Sequence, residues 1–142
     1  MKNALIFANW KSNKTKTEAK NWLEEVSLQN IAQNLEVVIL PPFTLLESTS
    51  TYIKTNGLRI KVGAQDVSPF ENGPYTGEVS ATQLKEFGEY VLIGHSERRT
   101  NFGENNEMVR KKVEQAARFG LIPVVCISDL SQLTGLQSYE DI

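Results

Sequence analysis

Short apolar runs recur along the chain, and the segments between them carry apolar residues at helical spacing. Ala4–Ala8 is continuous, apolar and short, which predicts a strand buried on both faces. Ala19, Trp22, Leu23 and Val26 then fall at i, i+3, i+4 and i+7, so one helix face is apolar. Val37–Leu40 reads as a second strand, stopped by Pro41-Pro42, because proline neither extends a ladder nor sits inside a helix. Leu45 to Lys54 reads as a helix ended by Asn56-Gly57, and Arg59–Ala64 as a third strand. Val79 to Phe87 is a short helix stopped by Gly88, and Tyr90–Ile93 a fourth strand. Asn105 caps a helix with Val109, Val113 and Ala116 on one face and Gly120 at its end. Ile122–Ile127 is a fifth strand, and the polar segment from Ser128 to Ile142 has no clear period.

Strands alternating with helices every ~20–30 residues predict βαβ units and a parallel sheet, an α/β fold. Two architectures compete, a doubly wound open sheet and a (β/α)8 barrel. Asn9-Trp10-Lys11 follows the first strand where a dinucleotide-binding fold would carry its glycines, which counts against that reading. No internal repeat or linker interrupts the pattern, so residues 1–142 read as one domain. Hydrophobic residues make up 40% and charged residues 23%, enough apolar material for a sizeable core. The net charge of −2 offers no basic field for nucleic acid or an anionic membrane, so an anionic small molecule needs a local positive site. Cys126 is the one cysteine, which excludes an intrachain disulfide and fits a reducing compartment. The first apolar run is too short for a signal peptide, and no run of ~18 apolar residues occurs; the expected location is cytoplasmic.

In both architectures ligands bind beyond the carboxyl ends of the strands. Asn9 and Lys11 follow the first strand, Gln65 and Asp66 the third, and Gly94-His95-Ser96-Glu97-Arg98-Arg99 the fourth. Lysine and the single histidine are the side chains that polarise or neutralise an oxygen anion. Each also has a plainer reading: Lys11 as a solvated loop residue, His95 as a structural one. Ser96 is read as the cap of a helical turn with Arg99 three residues on, and Glu97, Arg98 and Arg99 as an ordinary charged turn. Cys126 is read as a small packing residue, because no base is placed beside it by sequence. Trp10 and Trp22 are assigned to core or interface, and Lys14 to Lys20 to the solvated face of the first helix. The residues alone reach an enzyme-like sheet with a cationic and imidazole site for an anion; they do not reach a reaction.

Four motifs carry a resemblance. Phe7-Ala8-Asn9-Trp10-Lys11, Gly63-Ala64-Gln65-Asp66 with Gly73-Pro74-Tyr75-Thr76-Gly77-Glu78, Gly94-His95-Ser96-Glu97-Arg98-Arg99, and Val124-Val125-Cys126-Ile127 stand in order from about residue 4 to 127. Together they resemble the triosephosphate isomerases. The resemblance implies a (β/α)8 barrel, present here as an incomplete barrel of about five βα units. It further implies a homodimer and interconversion of dihydroxyacetone phosphate and glyceraldehyde 3-phosphate, a phosphorylated triose, without cofactor or metal. By position, Lys11 and Asn9 contact substrate, and His95 is the neutral electrophile beside the carbonyl. Glu97 positions Lys11, Thr76 lies on a loop reaching into the partner's site, and Gln65 supports that loop. The family is itself the reference case for a neutral imidazole acting with a glutamate base under a closing loop.

The family carries that glutamate after its sixth strand and its phosphate grip on later loops, none of which falls among these residues. Ser128-Asp129 also stands where the family usually has Gly-Glu, and nothing places Glu140 or Asp141 as a substitute base. The expectation is an isolated chain that is inactive or very weak, complemented by a C-terminal half. The alternatives are a non-catalytic half-barrel assembly module and one half of a split enzyme.

Overall fold

The computed structural model describes residues 4–127. Its elements alternate: β1 (Ala4–Asn9), α1 (Lys16–Ser27), β2 (Leu35–Leu40), α2 (Phe43–Thr55), β3 (Ile60–Ala64), α3 (Ala81–Lys85), β4 (Tyr90–Ile93), α4 (Ser96–Phe102), α5 (Asn106–Arg118) and β5 (Ile122–Val125). The strands form one sheet in the order β1-β2-β3-β4-β5. Every neighbouring pair is parallel, with Ala4 opposite Leu35, Val37 opposite Ile60, Gly63 opposite Tyr90 and Tyr90 opposite Ile122. Sequential parallel order with helical crossovers is the strand order of a (β/α)8 barrel and not of a doubly wound sheet, whose order reverses at a switch point. Five such strands make a half-barrel. The polar segment from Ser128 onward lies outside the described residues.

Local signals explain where the helices start. Thr15 and Glu18 form a reciprocal capping box at α1, and Ser80 and Gln83 form another at α3. That second box delays α3 to Ala81, two residues later than the apolar pattern predicts, while Val79 instead accepts the N–H of Ser68. Helix α2 starts two residues earlier than predicted, with Pro42 as its cap residue holding φ at −54°. Asn105 caps α5 by accepting the N–H of Met108, as its position predicts.

Two apolar layers hold the sheet. Outside it, Leu23, Leu45, Leu46, Ile53, Leu84, Val109 and Ala116 pack helices onto Ile39, Val62, Val91 and Ile93. Each large aliphatic side chain buried in this way contributes roughly 1.5–3 kcal/mol. Inside, Val38, Leu40, Tyr90 and Leu92 form a second cluster, flanked by Phe7, Val124 and Cys126. The expectation that the first strand is buried on both faces is corrected here: Leu5 and Ile6 are 46% and 48% exposed. Strand β1 has β2 alone beside it among the described residues, so the apolar run builds an edge. The Lys14 to Lys20 segment is likewise not uniformly solvated. The ammonium of Lys14 sits 5.3 Å from the ring centre of Trp10, which meets Trp22 edge to face.

The inner layer is narrow at Gly63. A Cβ there would stand 2.7 Å from Leu40 Cδ2 and 2.9 Å from the Tyr90 carbonyl oxygen. Gly63→Ala should therefore lower stability by about 1–3 kcal/mol through overpacking. A fall in the urea midpoint at constant m-value would show it.

Candidate active site

The carboxyl end of β1 turns sharply at Lys11, a non-glycine residue with φ +53°. Side chains from two strands hold that turn. Asn9 Oδ1 accepts the Lys11 N–H at 2.9 Å, and Gln65 Nε2 donates to the Lys11 carbonyl at 2.9 Å. The same Gln65 nitrogen donates to Leu40 O at 2.8 Å, tying the ends of β1, β2 and β3 together. Gln65, which the resemblance reads as a support for the long loop after β3, thus also holds the Lys11 turn.

The Lys11 ammonium reaches across the sheet to Glu97 Oε1 at 2.5 Å. That hydrogen bond is the main cause holding the Glu97 carboxyl below its ordinary range, with burial opposing it and the charge of Lys11 adding to it through space. His95 follows β4 through Gly94 and is itself the cap residue of α4. Its Nδ1 accepts the Glu97 N–H at 3.3 Å, an arrangement that in a neutral ring puts the proton on Nε2. This corrects the reading of Ser96 as the cap. The imidazole takes the backbone N–H that a serine hydroxyl would take, and Ser96 becomes the exposed first residue of the helix.

Asn9, Lys11, Gln65, His95 and Glu97 line one cavity of about 270 Å³, with Asp66, Arg98 and Phe102 also on its wall. Thr76 lies elsewhere, exposed on the loop after β3. Cys126 belongs to the inner apolar layer, where burial is the largest influence and raises its thiol pKa. The protonated thiol fits a packing role.

Two buried groups behind this wall escaped the sequence reading. Lys112, 1% exposed, places its ammonium 2.6 Å from Asp66 Oδ1 and 2.5 Å from Glu104 Oε2. Arg98 bridges the same carboxylates, with Nη2 2.9 Å from Asp66 and Nε 2.9 Å from Glu104, so it is far from an ordinary turn residue. Lys112 lies three residues after Val109 and four before Ala116, on the apolar face of α5. A lysine on an apolar face was its available signal. Nothing local marks Glu104. At the opposite end of the strands, Lys61 similarly joins Glu36 and Glu89 at 3.4 and 3.0 Å.

The cavity wall carries two carboxylates, and both are engaged, Glu97 with Lys11 and Asp66 with Lys112 and Arg98. Among the described residues, the cavity thus presents an ammonium and an imidazole N–H without an unpaired carboxylate to take a proton from carbon.

Half of a (β/α)8 barrel with an ammonium and an imidazole at its carboxyl rim is the class that fold and site define. A family model described as triosephosphate isomerase matches residues 4–139. The triosephosphate isomerase of Thermoanaerobacter pseudethanolicus is 45% identical over 142 residues, 99% of this chain and 56% of that protein. That of Dictyoglomus thermophilum is 43% identical over 131 residues, 91% of this chain and 52% of that protein. The crystal structure of triosephosphate isomerase from Bartonella henselae superposes with a TM-score of 0.81 at 36% identity, over 93% of this chain and 54% of that one. The chain belongs to the triosephosphate isomerase family. It spans about half the length of the curated relatives it matches.

The buried charges set two expectations. Lys112→Ala leaves Asp66 and Glu104 short of a cation and should lower stability by ~3–5 kcal/mol, read from denaturant midpoints. Acid should act through Glu104. Burial alone would raise its carboxyl, but the bonds from Lys112 and Arg98 outweigh that and hold it below the ordinary 4.5. Its stabilisation is present above that value and is lost as pH falls through the lowered one. Asp66 runs the other way: burial raises it above 3.8, so its share is present below 3.8 and lost as pH rises through the raised value. Glu104→Gln should flatten the acid limb of stability below pH 4.5, and an unchanged limb would contradict the assignment.

Proposed function

We propose that this chain supplies the electrophilic half of a triosephosphate isomerase site, for interconversion of dihydroxyacetone phosphate and glyceraldehyde 3-phosphate through an enediolate. The observation that carries the reading is the convergence of the Lys11 ammonium and the His95 imidazole on one cavity, joined through Glu97. Removing a proton from the carbon beside a carbonyl pushes the electron pair onto oxygen. Donors already in place around that oxygen lower the barrier. His95 Nε2–H donates to the developing enediolate, and Lys11 supplies positive charge. Asn9 orients the substrate, and Glu97 keeps Lys11 extended toward the cavity. A neutral imidazole matches the acidity of an enediol better than an imidazolium does.

The base is contributed by a C-terminal half, which also supplies the phosphate grip. On this reading the whole works without cofactor as a cytoplasmic homodimer in glycolysis and gluconeogenesis, with Thr76 on the loop that reaches the partner. By itself the chain turns over at least ~10²–10⁴-fold more slowly than a complete enzyme, for want of the general base. Mixing it with the C-terminal half of the Thermoanaerobacter relative should restore isomerase turnover. Lys11→Met and His95→Gln should each remove it again by roughly 10²-fold or more without dissociating the halves. Halves that co-sediment yet stay inactive would sink the proposal.

A second reading, a non-catalytic assembly module, draws on the exposed Leu5 and Ile6 of β1 and the exposed Ile122 of β5. Open edges of this kind promote association. Light scattering of the chain alone should find oligomers, and a compact monomer would remove the basis for this reading.

A further inference from the structure

The direction in which His95 leaves the sheet is decided one residue earlier, at Gly94. That glycine has φ +74°, in the left-handed region. Its peptide groups are held from both sides. Its N–H donates to Glu104 Oε1 at 2.9 Å, and its carbonyl accepts from Arg99 Nε at 2.8 Å. The place a side chain would occupy is already taken: a Cβ on Gly94 would stand 2.9 Å from Arg99 Nη2 and 3.1 Å from Val109 Cγ2. Both holding groups are themselves anchored at α5. Arg99 Nη1 donates to Asn106 Oδ1 at 2.8 Å, and Glu104 Oε2 lies 2.5 Å from the Lys112 ammonium.

We propose that Glu104 and Arg99 are positioning residues for His95. They clamp the Gly94 peptide from opposite sides and so fix the direction and hydrogen bonding of the imidazole. Neither reaches the reacting atoms; they act through one backbone unit. The clamp gives the second oxygen of a buried carboxylate a backbone partner beside the site, while its first oxygen pairs with Lys112 and Arg98. It also couples the seating of α5 to the orientation of the ring. This inference rests on reading His95 as the electrophile, but its test does not pass through turnover.

His95 is the single histidine of the chain, so its ring nitrogens give one unambiguous pair of ¹⁵N resonances. With Nδ1 accepting from Glu97, the folded chain should show one tautomer, with Nδ1 unprotonated and Nε2 protonated. Arg99→Met keeps the length of the side chain and removes the donor to Gly94. It should move the two ¹⁵N shifts toward each other as tautomers mix. Arg99→Lys, which restores a donor, should bring them back toward the wild-type values. Glu104→Leu should act like Arg99→Met, and if it does not fold, the Arg99 pair decides. Ser50→Ala is the control for general destabilisation, since it removes a remote bond to Phe87 O and touches nothing near the site. It should lower the unfolding midpoint without moving either resonance. The proposal is overturned if Arg99→Met keeps the wild-type shifts, if Ser50→Ala moves them as far, or if the wild-type ring is already a tautomer mixture. Failure of the half-barrel complementation assay would leave these outcomes untouched.

Discussion

An ammonium buried between two carboxylates is the contact on which the carboxyl rim depends. Lys112 comes from α5, Asp66 from the end of β3, and Glu104 from the connection into α5. None of the three is tolerable in a low-dielectric interior without the others. With Arg98 they balance two positive against two negative charges. The geometry is therefore all or nothing: α5 seats fully or leaves an unpaired charge beneath the sheet. Glu104 spends its second oxygen on the Gly94 backbone, and so the packing of a helix on the outside fixes a turn on the inside.

Lys11 shows the same economy from the other direction. Groups from three parts of the rim touch it, Asn9 and Gln65 at its backbone and Glu97 at its side chain, and the same Gln65 amide also binds Leu40 O. A lysine side chain ordinarily keeps much rotamer freedom in solution. Here the backbone is fixed in a left-handed turn and the charge is paired at its tip.

Much of the architecture was legible in the sequence because parallel strands announce themselves. Runs such as Val37–Leu40 and Tyr90–Ile93 are apolar without alternation, and Asn105 and Asn56-Gly57 mark helix ends by local chemistry. The placement of Asn9, Lys11, Gln65 and His95 at the rim was legible too, since each lies within two residues of a strand's carboxyl end. What stayed hidden depended on distant partners. Glu104 has no local pattern, and its role exists because Lys112, Arg98 and the Gly94 N–H surround it in space. The cap at α4 was misread because serine is the usual capping residue, whereas here an imidazole has the better approach to the Glu97 N–H. The exposure of β1 is a property of neighbours, which a run of six residues does not encode.

That exposed edge has a temporal side. The sequence Ala-Leu-Ile-Phe-Ala-Asn of β1 carries no charge and no proline to discourage a stray strand from adding to it. In relatives about twice this length, these residues leave the ribosome well before the remainder of the barrel exists. At bacterial rates of synthesis, the early half waits on the order of ten seconds for the later one. During that interval the nascent chain offers an open hydrogen-bonding margin to any neighbour on the same polysome. The length of that exposure is set by the order in which the strands are made.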